Sequence, residues 1–202
     1  VIKKIELSQF ANPRKGGIKA IKVVETGDTL ISVKLMKAGQ EILLVTKNGQ
    51  AIRFKGSDVR SMGRASYGVS GIKLSKRDCV VSLEVLPIED SDEYSIITIT
   101  ERGYGKRSKI NDYRLTGRSG KGVINMKVTS KTGEIVNSCS ITGKDNIIVM
   151  TENGIVIRTP VKNIRVMGRA TQGVKIINLK SSDKVSDFAK VPTEKDVSEG
   201  AD

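Results

Sequence analysis

Three stretches of this 202-residue chain superimpose with their glycines in step. Gly49, Gly103 and Gly154 correspond, then Gly63, Gly117 and Gly168, then Gly68, Gly122 and Gly173. The middle set is spaced by 54 and then 51 residues, and the first and last glycines of each stretch are 19 apart. A repeat constrains a fold more tightly than composition does. Each unit is too small to bury its own apolar face and must stack on its neighbours. Residues 1–23 supply the second half of a further unit. Lys4 falls where Arg53, Arg107 and Arg158 sit, and Gly17-Ile18 falls where Gly68-Val69, Gly122-Val123 and Gly173-Val174 sit. The chain opens on Val1, which reads as a fragment of something longer.

The units share one grammar. A β-branched run (Ile42–Thr46, Ile96–Thr100, Ile147–Thr151) meets a glycine turn (Asn48-Gly49, Arg102-Gly103, Asn153-Gly154). Such a turn between apolar runs predicts a hairpin whose two central residues both take positive φ. A basic second strand follows, then a loop rich in Gly and Arg, then a third strand at Val69–Leu74, Val123–Val128 and Val174–Leu179. The intervening segments 28–40, 78–90 and 133–143 carry further strand-like runs, and helical periodicity is nowhere sustained. About four strands every 51–54 residues predicts an all-β, propeller-like architecture. One domain over 1–191 is expected, with units at 1–40, 41–93, 94–145 and 146–191. Residues 181–202 turn acidic, with six acids against three lysines, and 192–202 read as an acidic disordered tail.

Charge narrows the function. Lys and Arg number 35 against 22 acids, a net +13, which points to a polyanion partner. There is no His, so the commonest general base and zinc ligand are missing, and no carboxylate pair recurs. The expectation is a non-catalytic domain without metal or cofactor. No apolar run approaches the ~18 residues of a spanning helix, so no membrane is expected. Cys79 and Cys139 read as small buried hydrophobes of a reducing compartment.

Two sets of cations recur. The loop Arg-x-[Met/Thr]-Gly-Arg-x-x-x-Gly-Val runs from Arg60, Arg114 and Arg165, with Arg64, Arg118 and Arg169 at its centre and Lys121 in one copy. Its glycines suit tight turns or close backbone approach. Its central arginines either bind phosphate or bond carbonyls of the neighbouring unit, and the two roles are compatible. The second set lies on the strand after each hairpin turn: Lys3 and Lys4, Arg53 and Lys55, Lys106 and Arg107, and Arg158. A cation at the same place in every unit would set positive charge at intervals around a curved rim. Arg14 and Lys15 stand in the corresponding loop of the first unit. Other motifs fail: GRSGKGV at 117–123 lacks the Ser or Thr of a phosphate loop, and seven Phe and Tyr are too few for a base-stacking platform.

The strings SMGRASYGVSGIKL, GYGKRSKINDYRLTGRSGKGVINMKV and VMGRATQGVKIINL, with the opening VIKKIELSQFANPRKGGIKAI, resemble the C-terminal repeats of bacterial DNA gyrase A subunits. The resemblance covers residues 1 to about 191. It implies a β-pinwheel, a disc resembling a propeller but with different strand connectivity. It implies duplex DNA wrapped on the rim for ATP-dependent negative supercoiling. The partners it implies are the gyrase A cleavage core, in the same parent chain, and the gyrase B subunit. It also implies a monomeric domain in the bacterial cytoplasm, at the nucleoid. The family's glutamine-led box, Gln-Arg-Arg-Gly-Gly-Lys-Gly, is not matched by Pro13-Arg14-Lys15-Gly16-Gly17, which lacks the leading Gln and the final Gly. The related topoisomerase IV domain is the alternative within the resemblance. A propeller for protein interaction is the alternative outside it, and would carry an acidic or mixed rim.

Overall fold

The computed structural model describes residues 1–13, 15–23, 27–87, 93–180 and 182–191. Among these residues eleven strands run in chain order: β1 (Glu41–Thr46), β2 (Gln50–Lys55), β3 (Val80–Leu86), β4 (Tyr94–Thr100), β5 (Tyr104–Lys109), β6 (Val123–Ile124), β7 (Ile135–Thr142), β8 (Asn146–Thr151), β9 (Val156–Pro160), β10 (Val174–Lys175) and β11 (Val185–Val191). They form antiparallel sheets in the orders β3-β1-β2-β6, β10-β5-β4-β7 and β11-β8-β9. The fold is an all-β, propeller-like pinwheel, as expected. The expected tail at 192–202 and Arg14 lie outside the described residues.

The hairpins form where the glycine turns predicted them, with a different geometry. Only the glycine is left-handed, at φ +93° for Gly49, +76° for Gly103 and +82° for Gly154. The preceding Asn48, Arg102 and Asn153 stay at negative φ. The Gly49 amide donates to Thr46 O at 3.1 Å and the Gly103 amide to Thr100 O at 2.9 Å. These are three-residue loops, a tight turn closed by one left-handed residue, so a single glycine suffices.

Two of the sheets have four strands as expected, but the third strand of a unit is not in its own unit's sheet. Val123–Ile124 and Val174–Lys175 are short strands, and each joins the preceding unit's sheet. Val123 pairs with Ala51 and Val174 with Gly105, while Val69 makes the same contact as a single bridge to Ile2. The left-handed glycine before each valine sits against that neighbouring strand. A Cβ at Gly122 would stand 2.2 Å from Ala51 O, and one at Gly173 2.6 Å from Gly105 O. Each seam between units is thus a strand exchange. Residues 28–40 form no strand, although Leu30–Met36 align with Val80–Leu86. In each later unit that run pairs with the unit's own first strand, and the described residues of 1–40 supply no such strand.

The core follows the seams. One cluster joins Ile2 to Ile42, Leu44, Ile52 and Phe54, a second joins Leu43, Val45 and Leu86 to Ile96, Ile110 and Tyr113, and a third joins Ile97, Ile99 and Ile141 to Val149, Val161 and Phe188. Side chains alternate along each first strand, so one face packs backward and the other forward. The closing strands converge on one side: Ser82 Oγ on β3 donates to Ser138 O on β7, and Asn137 on β7 donates to Asp187 on β11. The Gly- and Arg-rich loops therefore lie at the opposite edge of each sheet, next to the exchanged strands. Cys79 is exposed, against expectation, because it precedes β3 at a turn. Cys139 is partly buried, which pushes its thiol up to about 12.

Candidate nucleic-acid interface

The second strand of each unit ends in a 3-10 turn, at Gly56–Asp58, Ile110–Asp112 and Val161–Asn163, and the loop follows. The turn and loop of one unit lie along the second strand of the unit before. Backbone bonds hold them there: Met62 N to Lys4 O at 2.9 Å, Thr116 N to Arg53 O at 2.9 Å and Met167 N to Arg107 O at 2.8 Å.

Most cations on the strands are used inside these seams. Arg53 donates from Nη1 to Ile110 O and Tyr113 O at 3.0 and 3.1 Å, and from Nε to the Glu41 carboxylate at 2.5 Å. Arg107 donates from Nε to Ile164 O at 2.7 Å, and its burial disfavours the charged guanidinium. Lys4 reaches Gly56 O at 3.0 Å, and Lys3 reaches Arg64 O and Ser66 O. Burial, and Arg64 beside it, lower the Lys3 pKa. Lys106 is a clear correction: its side chain is 0% exposed and offers no surface to a polyanion. The signal was in the alignment, since the same position is Ile52 in one unit and Ile157 in another. Lys55 and Arg158 are exposed as expected.

The loop arginines divide in the same way. Arg118 donates from Nε to Asp58 O at 3.1 Å and from Nη1 to Ser70 O at 3.0 Å. Arg169 repeats the pattern with Asp112 O at 3.1 Å and Ile124 O at 2.8 Å. Both therefore bond carbonyls of the preceding unit. Arg64 donates to Lys19 O at 3.1 Å. By contrast, Arg60, Arg114, Arg165, Lys15 and Lys121 are exposed. Among the described residues their side chains have no hydrogen bond or ion pair. Arg53, Arg114 and Lys121 line one shallow cleft of about 150 Å³, walled by Gly117, Gly120 and Gly122. Lys109 was missed by the sequence reading. It is exposed at the end of β5 and aligns with Lys55.

One glycine set has no packing role. A Cβ at Gly63, Gly117 or Gly168 would meet nothing within 4 Å, and none of the three has a positive φ. Each lies three residues beyond an outward arginine, Arg60, Arg114 or Arg165. The result is an unpaired guanidinium beside bare backbone, once per loop.

The sequence model described as the DNA gyrase C-terminal domain, beta-propeller, matches residues 1–35, 40–87, 94–138 and 145–192, most of the chain. The chain belongs to the DNA gyrase C-terminal domain family. Among relatives, it is 42% identical over 188 residues to the DNA gyrase A subunit of Deinococcus deserti, covering 92% of this chain and 23% of that protein. It is 40% identical over 196 residues to the DNA gyrase A subunit of Staphylococcus epidermidis, covering 97% of this chain and 22% of that one. The chain thus spans less than a quarter of these relatives. Among solved structures, the C-terminal domain of a DNA topoisomerase IV superposes with a TM-score of 0.86 at 27% identity, over 94% of this chain and 58% of that one. A DNA gyrase A C-terminal domain superposes at 0.79 and 24% identity, over 87% of this chain and 58% of that one, and supports the fold alone. In this gyrase C-terminal domain, no helix among the described residues is long and apolar enough to cross a membrane.

Proposed function

We propose that the chain binds duplex DNA along its loop-bearing rim and bends it, as the non-catalytic wrapping part of a gyrase A protein. In this reading the ATP-dependent strand passage of a type II topoisomerase is performed by the gyrase A cleavage core together with the gyrase B subunit. The carrying observation is the repeated pair of an unpaired outward arginine and an open glycine: Arg60 with Gly63, Arg114 with Gly117, Arg165 with Gly168. An exposed guanidinium can replace a counterion on a phosphate, and bare backbone lets the duplex approach closely. The contacts fall on phosphates, not base edges, so specificity arises only from the cost of bending. The two gyrase A relatives, at 42% and 40% identity, favour this reading over the topoisomerase IV alternative.

The test is a titration of labelled duplexes of unrelated sequence at several salt concentrations. Neutralising about 6–8 phosphates gives a log K against log salt slope of roughly −5 to −7, equal for all sequences. A flat salt response overturns the reading.

A further inference from the structure

The interior of the unit at 94–145 differs in kind from its neighbours. Six of its inward positions are polar: Thr98, Lys106, Ser108, Tyr113, Asn125 and Ser138, all at most 1% exposed. At five of these positions the units at 41–93 and 146–191 carry apolar residues or glycine instead: Leu44 and Val149, Ile52 and Ile157, Val59 and Ile164, Gly71 and Ile176, Leu83 and Phe188. Ser108 corresponds to Phe54 and Thr159. The strand register fixes these equivalences, since Thr98 pairs with Lys106 as Leu44 pairs with Ile52 and Val149 with Ile157.

The polar groups form two short chains that meet where Ser108 stands beside the Tyr113 hydroxyl. Tyr113 OH donates to Asn125 Oδ1, Asn125 Nδ2 donates to Thr98 Oγ1 at 3.0 Å, and Thr98 Oγ1 meets Ser138 Oγ at 2.8 Å. In the second, Lys106 Nζ donates to Ser108 Oγ, which donates to Met167 O at 3.0 Å. Met167 belongs to the loop of the following unit, the loop that carries Arg165 and Arg169. Lys106 thus reaches through one hydroxyl to the next seam. An ammonium has three donors, and Ser108 Oγ is the single acceptor it meets among the described residues. Two charges act on it in opposite senses: the Asp112 carboxylate on the 3-10 turn favours its protonation, and the Arg169 guanidinium on the following loop opposes it. Tyr113 stays neutral, because burial pushes its phenol well above its ordinary range. Thr98 and Ser138 contribute no charge.

We propose that Lys106 is a proton-operated latch on the loop of the unit at 146–191. As the neutral amine it needs few partners, and the Lys106–Ser108–Met167 chain holds the loop against β5. As the ammonium it leaves donors unsatisfied in a closed interior, and relaxation toward solvent goes through that seam. Desolvation lowers its pKa to about 7, so the change of state falls near neutrality. Any effect on DNA rests on the reading above; the latch itself does not.

Hydrogen exchange on the whole chain tests the latch with an internal reference. The Met167 amide bonds Arg107 O at the latched seam, and the Thr116 amide bonds Arg53 O at the equivalent seam, where Ile52 stands in place of the lysine. Corrected for intrinsic rates, protection at Met167 is expected to fall about tenfold relative to Thr116 between pH 9 and pH 6. K106I, which restores the residue of the neighbouring units, abolishes that difference, and K106M serves if the branched side chain fails to fold. Equal pH responses at the two amides, or persistence of the difference in the variants, overturns the latch. So does a Lys106 Cε resonance that titrates near 10. Duplex affinity at pH 6 and pH 8.5 separates the two readings: failure to bind DNA at either pH sinks the DNA reading and leaves the exchange result standing.

Discussion

Arg107 and Arg165 belong to one seam and are used in opposite ways. Arg107 lies half-buried on β5 and gives its Nε to Ile164 O at 2.7 Å, in the next unit's turn. Arg165 stands one residue beyond that carbonyl and is exposed. Its backbone carbonyl accepts the Arg107 amide at 3.2 Å, so the seam uses its main chain and leaves its side chain outside. The same division recurs with Arg53 and Arg114 at the preceding seam. The difference teaches that a cation repeated in every unit is no single signal. A guanidinium satisfies a backbone carbonyl or a phosphate with the same donors, and what stands next to it decides. The seam arginines hold the pinwheel together, and the outward ones keep exposed side chains without a hydrogen bond or ion pair among the described residues.

The largest expected effect comes from removing the outward set. The triple variant R60A/R114A/R165A is expected to lower duplex affinity roughly 10–100-fold and to reduce the salt slope by about 2.7. Its thermal unfolding stays within about 0.5 kcal/mol of the parent, as for exposed substitutions generally. Unchanged affinity with a lowered midpoint would reverse the assignment of the two sets.

Arg107→Ala probes the other side. It leaves the buried Ile164 carbonyl without its charged donor, so a loss of about 2 kcal/mol is expected. For a chain of this size that is roughly 4–8 °C in midpoint. DNA affinity per folded molecule should remain near that of the parent. A loss of affinity larger than the loss of stability would place Arg107 on the rim after all.

Arg158→Ala gives the smallest effect and the sharpest control. Arg158 occupies the repeat position of Arg53 and Arg107, but among the described residues no carbonyl meets its exposed side chain. The expected change in stability is under about 0.5 kcal/mol, read by denaturant unfolding. A cost comparable to that of Arg107→Ala would show that the position matters through its own strand and not through the seam.

Much of this was legible beforehand. The hairpin glycines, the alternating apolar runs and the repeat spacing located β1, β4 and β8 within a residue or two and placed β2, β5 and β9 just after the turns. The left-handed glycines at 68, 122 and 173 were legible as a requirement, though not as contacts with another unit. Lys106 could have been read as interior from its alignment with Ile52 and Ile157. Basic character outweighed position in that reading, and the position was the better guide. Leu30–Met36 carries a strand pattern without a strand, because a strand exists only as half of a hydrogen-bonded pair.

The sequence by itself determined what is local and periodic: strands, turns, the number of repeats and an excess of positive charge. These depend on residues a few positions apart, whose backbone preferences act whatever the rest of the chain does. Tertiary structure decided the rest: that Val123 and Val174 pair with the preceding sheet, that Arg53, Arg107, Arg118 and Arg169 bond carbonyls, and that Arg60, Arg114 and Arg165 face outward. The partners that settle those roles lie some 45–60 residues away in the chain, and only the stacking of one unit on the next brings them within hydrogen-bonding distance.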